Sequence, residues 1–227
     1  MPARGVGIVA EGVTVRGLEG TVVADVDLDA RPGSFTVLSG PAGSGRTALL
    51  LALGARFRTA RGTITVDGTP LPRGAKAARR RISVARAAPA IELEERLTVA
   101  ELVGERRAIG GPHVTDTSVA DAFDLVDLAC PPHTLAGRLP HVEKLLLALA
   151  LATAEESGGV LVDDVDSGIA GTDLDRAWHA VRAVARTGRT VIATATAPPG
   201  GSLRPDLGLA LPGHHTHLPA TRPGGRR

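Results

Sequence analysis

A glycine-rich octapeptide constrains the fold of this chain more than any other feature of its sequence. The octapeptide, Gly40-Pro41-Ala42-Gly43-Ser44-Gly45-Arg46-Thr47, follows the short apolar run Phe35–Ser39 and leads into a helical pattern over Thr47–Phe57. It fits the pattern G-x-x-x-x-G-K-[ST], except that arginine stands where lysine is usual. Such a loop wraps its backbone N–H groups around phosphates, and the positive end of the helix adds to the attraction. The sequence therefore predicts a phosphate site, and a plain strand-to-helix turn is the less favoured interpretation.

The arginine within this loop predicts an altered site. We expect all eight residues from Gly40 to Thr47 to contact a bound nucleotide, with the Thr47 hydroxyl also serving Mg²⁺. Lysine acts at this position as a compact point charge, whereas the guanidinium of Arg46 is bulkier, planar and suited to bidentate contacts. We therefore expect Arg46 to neutralise phosphate charge from a different position.

Strand and helix patterns follow one another in an order typical of an α/β fold. Strand patterns occur at 6–29, 35–39, 63–67, 82–85, 160–163 and 190–194, with short candidates at 207–211 and 216–218. Helical patterns alone occupy about 91–155, at 97–108, 116–129 and 140–154, and a further helix is predicted over 173–186. This order predicts a sheet with intervening helices and a helical insertion.

Periodicity also predicts which side chains form the core. Within 6–29, apolar and acidic residues alternate as in a strand, most clearly over 22–29. We expect one face to hold the apolar residues Val22, Ala24, Val26 and Leu28, and the other face to hold Asp25, Asp27 and Asp29. Trp178 has helical spacing from Leu174, Val181 and Val184, so we expect it in the core. The helix around Leu145–Leu151 is apolar nearly all round, which predicts deep burial.

Composition excludes several classes of function. The 227 residues are 43% hydrophobic and 22% charged, which excludes wholesale disorder, and only 2% are aromatic. A net charge of +2, with no aromatic residues among basic runs such as Arg79–Arg81, disfavours a nucleic-acid partner. The longest apolar run, Leu145–Ala152, is too short for a membrane span, and the amino terminus lacks a signal peptide's apolar stretch. We therefore expect a cytoplasmic chain without direct membrane insertion.

A small histidine cluster lies near the carboxyl terminus, at His214, His215 and His217. On a strand, two of these side chains would share a face, which is compatible with a metal ion. Cysteine and acidic residues are absent nearby, so an exposed strand is the favoured interpretation and a metal site the lesser one.

Three stretches of the chain resemble the nucleotide-binding domain of ATP-binding cassette (ABC) transporters. They are VTVRG with the following VVADVDLDARPGSFTVLSGPAGSGRT, then GTITVDGTPL, and then VLVDDVDSGIAGTD. The similarity runs from about residue 8 to 218 and implies an α/β P-loop NTPase of ABC type. It implies a mixed sheet core, an N-terminal antiparallel β part and an inserted helical subdomain at about 88–155. One domain over 6–218 follows from this resemblance. A flexible tail over 219–227 is predicted from its composition, which is rich in Pro, Gly and Arg and has no apolar anchors.

The third stretch resembles the Walker B strand of this family and the loop behind it. By this resemblance Asp163 would hold Mg²⁺ through water, and Asp164 would stand at the position of the catalytic glutamate and orient the attacking water. The less favoured interpretation of the two aspartates is a polar end of a strand that leads into a turn. ATP and Mg²⁺ are the cofactors that the resemblance implies.

Other positions depart from the family's pattern. The aromatic residue that stacks on adenine is missing near 15–22, with Arg16 as a partial substitute. The glutamine expected near Arg86–Ala87 is absent, and residues 137–143 (GRLPHVE) stand where the signature LSGGQ is expected. Thr196 occupies the position of the switch histidine. Together with an aspartate at the glutamate position, these departures imply weak or absent hydrolysis.

The resemblance leaves two functions open. The first is the ATP-binding subunit of an ABC transporter, which would dock beneath a membrane permease subunit at the inner face of the cell membrane. It would pair with a second nucleotide-binding subunit as a homo- or heterodimer. The second is a non-enzymatic nucleotide-binding regulatory or scaffold module, a pseudo-ATPase paired with a competent partner. A small-molecule P-loop kinase is disfavoured by the helical middle and by SGIAGTD after the acidic strand.

Overall fold

A computed structural model describes residues 4–18, 20–155 and 157–213 of the chain. Its strands are β1 (Ile8–Gly17), β2 (Gly20–Ala30), β3 (Phe35–Ser39), β4 (Arg61–Val66), β5 (Thr69–Pro70), β6 (Ile82–Arg86), β7 (Gly159–Val162), β8 (Thr190–Ala195) and β9 (Leu207–Ala210). Its α-helices are α1 (Arg46–Leu53), α2 (Ala75–Arg81), α3 (Val99–Gly110), α4 (Asp116–Leu125), α5 (His141–Ala154) and α6 (Gly171–Arg186).

The strands form two sheets, one antiparallel and one parallel. The antiparallel sheet has the order β2-β1-β4-β5, and the parallel sheet has the order β6-β7-β8-β3-β9. The helices α3, α4 and α5 are inserted between β6 and β7. The predicted α/β class, with its N-terminal antiparallel part, is confirmed. Because β8 lies between β3 and β7, the loops after these three strands meet at the carboxyl edge of the parallel sheet.

The parallel sheet is buried between two apolar clusters. Phe35 and Val37 of β3 belong to the cluster that contains the apolar residues of α5 and α6, whereas Leu38 belongs to the cluster of α1 and the antiparallel sheet. Trp178 of α6 packs against Phe35, with ring centroids 6.3 Å apart. Every residue of α5 from Leu145 to Ala154 is buried. The predictions of a core tryptophan and a deeply buried α5 are therefore confirmed.

The predicted alternation in β2 is wrong at two adjacent positions. Val23 is buried and Ala24 is exposed, which is the reverse of the expected pattern. The cause is a bulge: between Val23 and Val26 the strand has one residue more than the facing segment Val13–Val15 of β1. Asp25 adopts a left-handed φ of 53° within this bulge. The extra residue shifts the two-residue period, so a different valine enters the core.

Two helices also differ from the sequence prediction. α1 ends at Leu53, before the predicted limit of Phe57, because Gly54 caps it and Ala55 adopts a left-handed φ of 60°. α2 was not expected, since its sequence AKAARRR has no apolar period and only Ala78 is buried.

Some predictions concern residues outside the described ranges. These are the strand at 216–218, the histidine cluster from His214 and the tail at 219–227. Within the described ranges, no helix has both the length and the apolar character needed to cross a bilayer.

Candidate functional site

The loop Gly40–Thr47 joins β3 to α1 at the carboxyl edge of the parallel sheet. Its turn is closed by a hydrogen bond of 3.1 Å from Ser44 N–H to Pro41 O. Gly43 and Gly45 have φ angles of 79° and 85°, in the left-handed region that glycine adopts without steric penalty. A Cβ added to Gly43 would have no heavy atom of the described residues within 4 Å, so the space beside this glycine is open.

The polar groups at the start of α1 are available to a ligand. Gly45 is the N-cap residue and offers no side chain as a cap, so the first-turn N–H groups have no intrahelical acceptor. Gly45 also packs tightly on β2, because a Cβ there would lie 2.3 Å from Val23 Cγ2 and 2.7 Å from Val22 O. The buried Ser44 hydroxyl has no hydrogen-bond partner within the described part of the chain. A phosphate would satisfy both sets of donors.

Two threonine hydroxyls hold the carboxylate of Asp163, directly after β7. Thr47 Oγ1 donates to Asp163 Oδ2 at 2.7 Å, and Thr194 Oγ1 of β8 donates to Asp163 Oδ1 at 2.5 Å. The Thr194 hydroxyl also accepts a hydrogen bond of 2.7 Å from Asp164 N–H. Asp163 is only 1% exposed. Burial raises the pKa of its carboxyl above the ordinary value, and the two donated hydrogen bonds partly oppose this shift.

Thr47 and Asp163 offer oxygen donors of the kind that Mg²⁺ prefers. The Thr47 hydroxyl is hydrogen-bonded to the Asp163 carboxylate at 2.7 Å, so the two groups face the same position. Thr47 would hold the ion there directly and Asp163 would hold it through a bound water. Over residues 4–18, 20–155 and 157–213, no group of three or more His, Cys, Asp or Glu side chains is arranged to hold a metal. A magnesium ion at this pair would therefore take its other ligands from water and phosphate, as it usually does.

The Arg46 side chain is paired internally at the same site. Its guanidinium donates from Nη1 to Gly40 O at 2.7 Å, and Nη2 lies 2.8 Å from Asp164 Oδ1. The Arg46 side chain is 9% exposed and that of Asp164 is 32% exposed. The residues expected to neutralise phosphate charge and to orient water, Arg46 and Asp164, are therefore in contact with each other.

The segment 137–143 and Thr196 lie near the turn that follows β7. Thr196 donates to Asp166 Oδ2 from its hydroxyl and, at 2.8 Å, from its backbone N–H. α5 begins at His141, and a Cβ added to Gly168 would lie 3.3 Å from His141 Nδ1. Both regions are thus linked to the turn, one through Asp166 and the other through Gly168.

The remaining candidate residues lie at more open positions. Pro41 and Ala42 are exposed in the loop, and Arg16 is exposed on β1. Arg86 is half-buried at the end of β6, and the next residue, Ala87, forms an isolated bridge with Ile91.

Comparison with known proteins identifies the family. The family described as ABC transporter matches residues 23–167, which is more than half of the chain. The match includes the whole loop Gly40–Thr47 and the two aspartates after β7. This chain belongs to the ABC transporter family. The family assignment made from the sequence is therefore confirmed.

The chain spans only part of the ABC proteins that it is similar to. The ribose import ATP-binding protein RbsA 3 of Rubrobacter xylanophilus is 27% identical over 179 residues, which cover 76% of this chain and 36% of that protein. The uncharacterized ABC transporter ATP-binding protein Rv2564 of Mycobacterium tuberculosis is 29% identical over 186 residues, which cover 80% and 55%. The chain thus spans about a third of the first relative and about half of the second.

Solved structures of ABC proteins share the fold. The dimeric structure of MJ0796, a bacterial ABC transporter cassette, has a TM-score of 0.74 at 16% identity, covering 89% of this chain and 94% of that one. An ATP-binding subunit of an ABC transporter has a TM-score of 0.72 at 15% identity, covering 90% and 85%. At such identities the likeness establishes the fold, and the predicted P-loop NTPase fold of ABC type is confirmed.

Sequence reasoning singled out the loop and both aspartates but not Thr194, which the structure places beside Asp163. This threonine lies inside a predicted strand, and nothing local distinguishes it from other strand threonines such as Thr36. Its role depends on β8 lying between β3 and β7, which places its hydroxyl beside Asp163. Likewise, the contact of Arg46 with Asp164 joins two residues that the sequence had singled out separately.

Proposed function

We propose that this chain binds Mg-ATP through Gly40–Thr47 as the ATP-binding subunit of an ABC transporter, with weak or absent hydrolysis. The observation that carries the proposal is the open loop Gly40–Thr47 beside the hydrogen-bonded pair of half-buried Thr47 and buried Asp163. The first-turn amides of α1, which have no intrahelical acceptor, and the Ser44 hydroxyl suit phosphate oxygens. Magnesium held at Thr47 and Asp163 would supply positive charge that neutralises and orients the phosphates.

Weak hydrolysis is proposed because the carboxylate expected to orient water is engaged by a cation. Asp164 Oδ1 lies 2.8 Å from Arg46 Nη2, so it is less available to accept a hydrogen bond from water. Aspartate is also one methylene shorter than glutamate, and a misplacement of about 1 Å can cost on the order of 100-fold in rate. We therefore expect turnover well below the usual range of about 1–10³ s⁻¹.

The proposed setting is a complex at the membrane. One relative is named as an import ATP-binding protein, and one structural neighbour is named as a dimer. We propose a permease subunit and a second nucleotide-binding subunit as partners, with the chain at the cytoplasmic face. Residues 137–143 lack the paired glycines of LSGGQ. In the family the signature loop caps the ATP bound to the opposite subunit. A heterodimer whose partner supplies an intact signature would therefore cap the nucleotide on this chain.

The Arg46–Asp164 ion pair also supports the second candidate, a non-enzymatic nucleotide-binding module. The two candidates differ in turnover and not in binding. Phosphate release by the purified chain above the level of a Thr47→Ala variant would favour the transporter ATPase. Mg-ATP binding without such release, also after addition of a catalytically competent partner subunit, would favour the module.

Calorimetric titration with Mg-ATP tests the proposed site. Gly43→Asp is the blocking variant, because aspartate tolerates the left-handed φ of 79° and adds a negative charge beside the open part of the loop. Gly43→Asn is the matched control, with nearly the same shape and no charge. We expect binding in the micromolar range for the natural chain, weaker binding for Gly43→Asn and no detectable binding for Gly43→Asp. Failure of the natural chain to bind at millimolar Mg-ATP would reject the proposal.

A further inference from the structure

Arg46 is held at both ends of its guanidinium by other residues of the chain. Nη1 donates to Gly40 O, so the side chain connects the first helical residue to the first residue of the loop. Nη2 faces Asp164 Oδ1 at 2.8 Å, which connects the loop to the turn after β7. Because the Arg46 side chain is 9% exposed, its charge is largely removed from water. Such a charge needs a partner, and Asp164 is the partner present.

Asp164 is itself held in place by its backbone. Its N–H donates to Thr194 Oγ1 at 2.7 Å, and its φ of 46° lies in the left-handed region. The same threonine hydroxyl donates to Asp163 Oδ1, so the position of Asp164 is tied to the predicted magnesium residue. The carboxylate is therefore presented to Arg46 by a fixed turn.

The contact between the two side chains is less well aligned than the other contact of Arg46. Asp164 Oδ1 is buried and accepts no aligned hydrogen bond from the described residues, although Nη2 is within ion-pair distance. The attraction is therefore mainly Coulombic, in contrast to the well-formed hydrogen bond from Nη1 to Gly40 O. A phosphate offers the same charge with several oxygens that align with the guanidinium fork. A phosphate can consequently replace the carboxylate.

We infer that Asp164 competes with nucleotide phosphates for Arg46, so that the ion pair latches the nucleotide-free loop and limits affinity. This inference rests on the proposed binding of Mg-nucleotide and adds to it an autoinhibitory contact. Nucleotide binding exchanges the carboxylate for a phosphate on the guanidinium. The freed carboxylate is then exposed to the space beside the phosphates.

Asp164→Asn is the variant that tests the latch. Asparagine tolerates a left-handed φ and keeps the shape of the side chain while removing its charge. Asp166→Asn is the matched control, because Asp166 lies in the same turn and bonds to Thr196 and not to Arg46. We expect Asp164→Asn to lower the Kd for Mg-ADP about 5- to 20-fold, within the usual range of coupling between sites. We expect Asp166→Asn to change it less than about twofold. ADP is used so that blocked hydrolysis cannot imitate tighter binding.

Loss of simple repulsion between Asp164 and the phosphates would also tighten binding. Thermal unfolding without nucleotide separates the two explanations, through Asp164→Asn, Arg46→Gln and the double variant. A latch requires that each single variant lowers the Tm and that Asp164→Asn has little further effect when Arg46 is already replaced. Additive shifts would show that the two side chains are uncoupled and would overturn the inference.

The binding outcomes also distinguish the latch from the proposed function. Tighter Mg-ADP binding by Asp164→Asn supports the latch, even where the natural chain binds too weakly to measure. Equal or weaker binding by Asp164→Asn overturns the latch and leaves nucleotide binding intact. Binding by neither protein rejects the nucleotide site and, with it, the competition.

Discussion

The phosphate loop and the segment 137–143 both lie near the carboxyl edge of the parallel sheet, but they are held in different ways. Around the loop, polar groups are buried and joined in a chain from Thr47 through Asp163 to Thr194. In the segment 137–143, most residues are exposed, as is Thr196 after β8. Buried polar groups must find partners, whereas exposed ones can use water. The position of the loop is therefore dictated by the fold. In the segment 137–143 the exposed residues can change at little cost in stability, whereas the buried Leu139 and Val142 belong to the core.

The largest expected effect concerns the two glycines of the loop. A Cβ at Gly45 would meet Val23 Cγ2 at 2.3 Å and Val22 O at 2.7 Å, while one at Gly43 would meet open space. Gly45→Ala should therefore lower the free energy of unfolding by about 3 kcal/mol, through overpacking and a left-handed alanine. Gly43→Ala should lower it by only about 1 kcal/mol, from the backbone alone. Urea unfolding of both variants checks this, and equal losses would contradict the packing of Gly45 on β2.

The second prediction contrasts two threonines at the carboxyl edge. Thr47→Ala removes the hydroxyl beside Asp163, so we expect Mg-ATP affinity to fall about 10- to 100-fold, as for loss of a group that supports a metal. Thr196→Ala breaks only the contact with Asp166, and we expect a change of less than about twofold. Calorimetry on both variants measures the difference. A larger loss for Thr196→Ala would place the main nucleotide contacts on the exposed side.

The third prediction separates two buried threonines of neighbouring strands. Thr194→Val leaves a carboxylate oxygen and the Asp164 N–H without their partner, which should cost about 1–3 kcal/mol of unfolding free energy. Thr36→Val is the control, because the fully buried Thr36 hydroxyl has no hydrogen-bond partner in the described structure. We expect that substitution to be neutral or stabilising by about 1 kcal/mol. Chemical denaturation of the two variants measures the change in unfolding free energy. Similar changes would show that the Thr194 hydroxyl does not support the site.

The smallest expected effect is a gain in stability when Asp163, the predicted magnesium residue, is replaced. Burial disfavours the charged form of Asp163 and raises the pKa of its carboxyl above the ordinary value. Asp163→Asn should therefore stabilise the nucleotide-free protein on the order of 1 kcal/mol at neutral pH, while magnesium no longer strengthens ATP binding. Thermal unfolding and calorimetry with and without Mg²⁺ test both effects. Destabilisation by this substitution would mean that the carboxylate is held mainly for the fold.

Much of the fold was predictable because its signals are local. The apolar runs of β3, β7 and β8 and the amphipathic pattern of α6 depend on neighbouring residues, and their limits agree with prediction to within a few positions. The bulge at Asp25 and the short helix α2 were not predictable in this way. A bulge depends on pairing with another strand, and α2 has no apolar period of its own.

The sequence alone determined where the phosphate loop lies and which family it belongs to. Glycines at fixed spacing, a preceding apolar strand and two aspartates after a later strand are visible without coordinates. Only the tertiary structure decided that Arg46 contacts Asp164 and that the Thr194 hydroxyl is hydrogen-bonded to both aspartates. These residues are far apart in the chain and meet because β8 is placed between β3 and β7. Strand order is set by packing of the whole sheet, and no short stretch of sequence contains it.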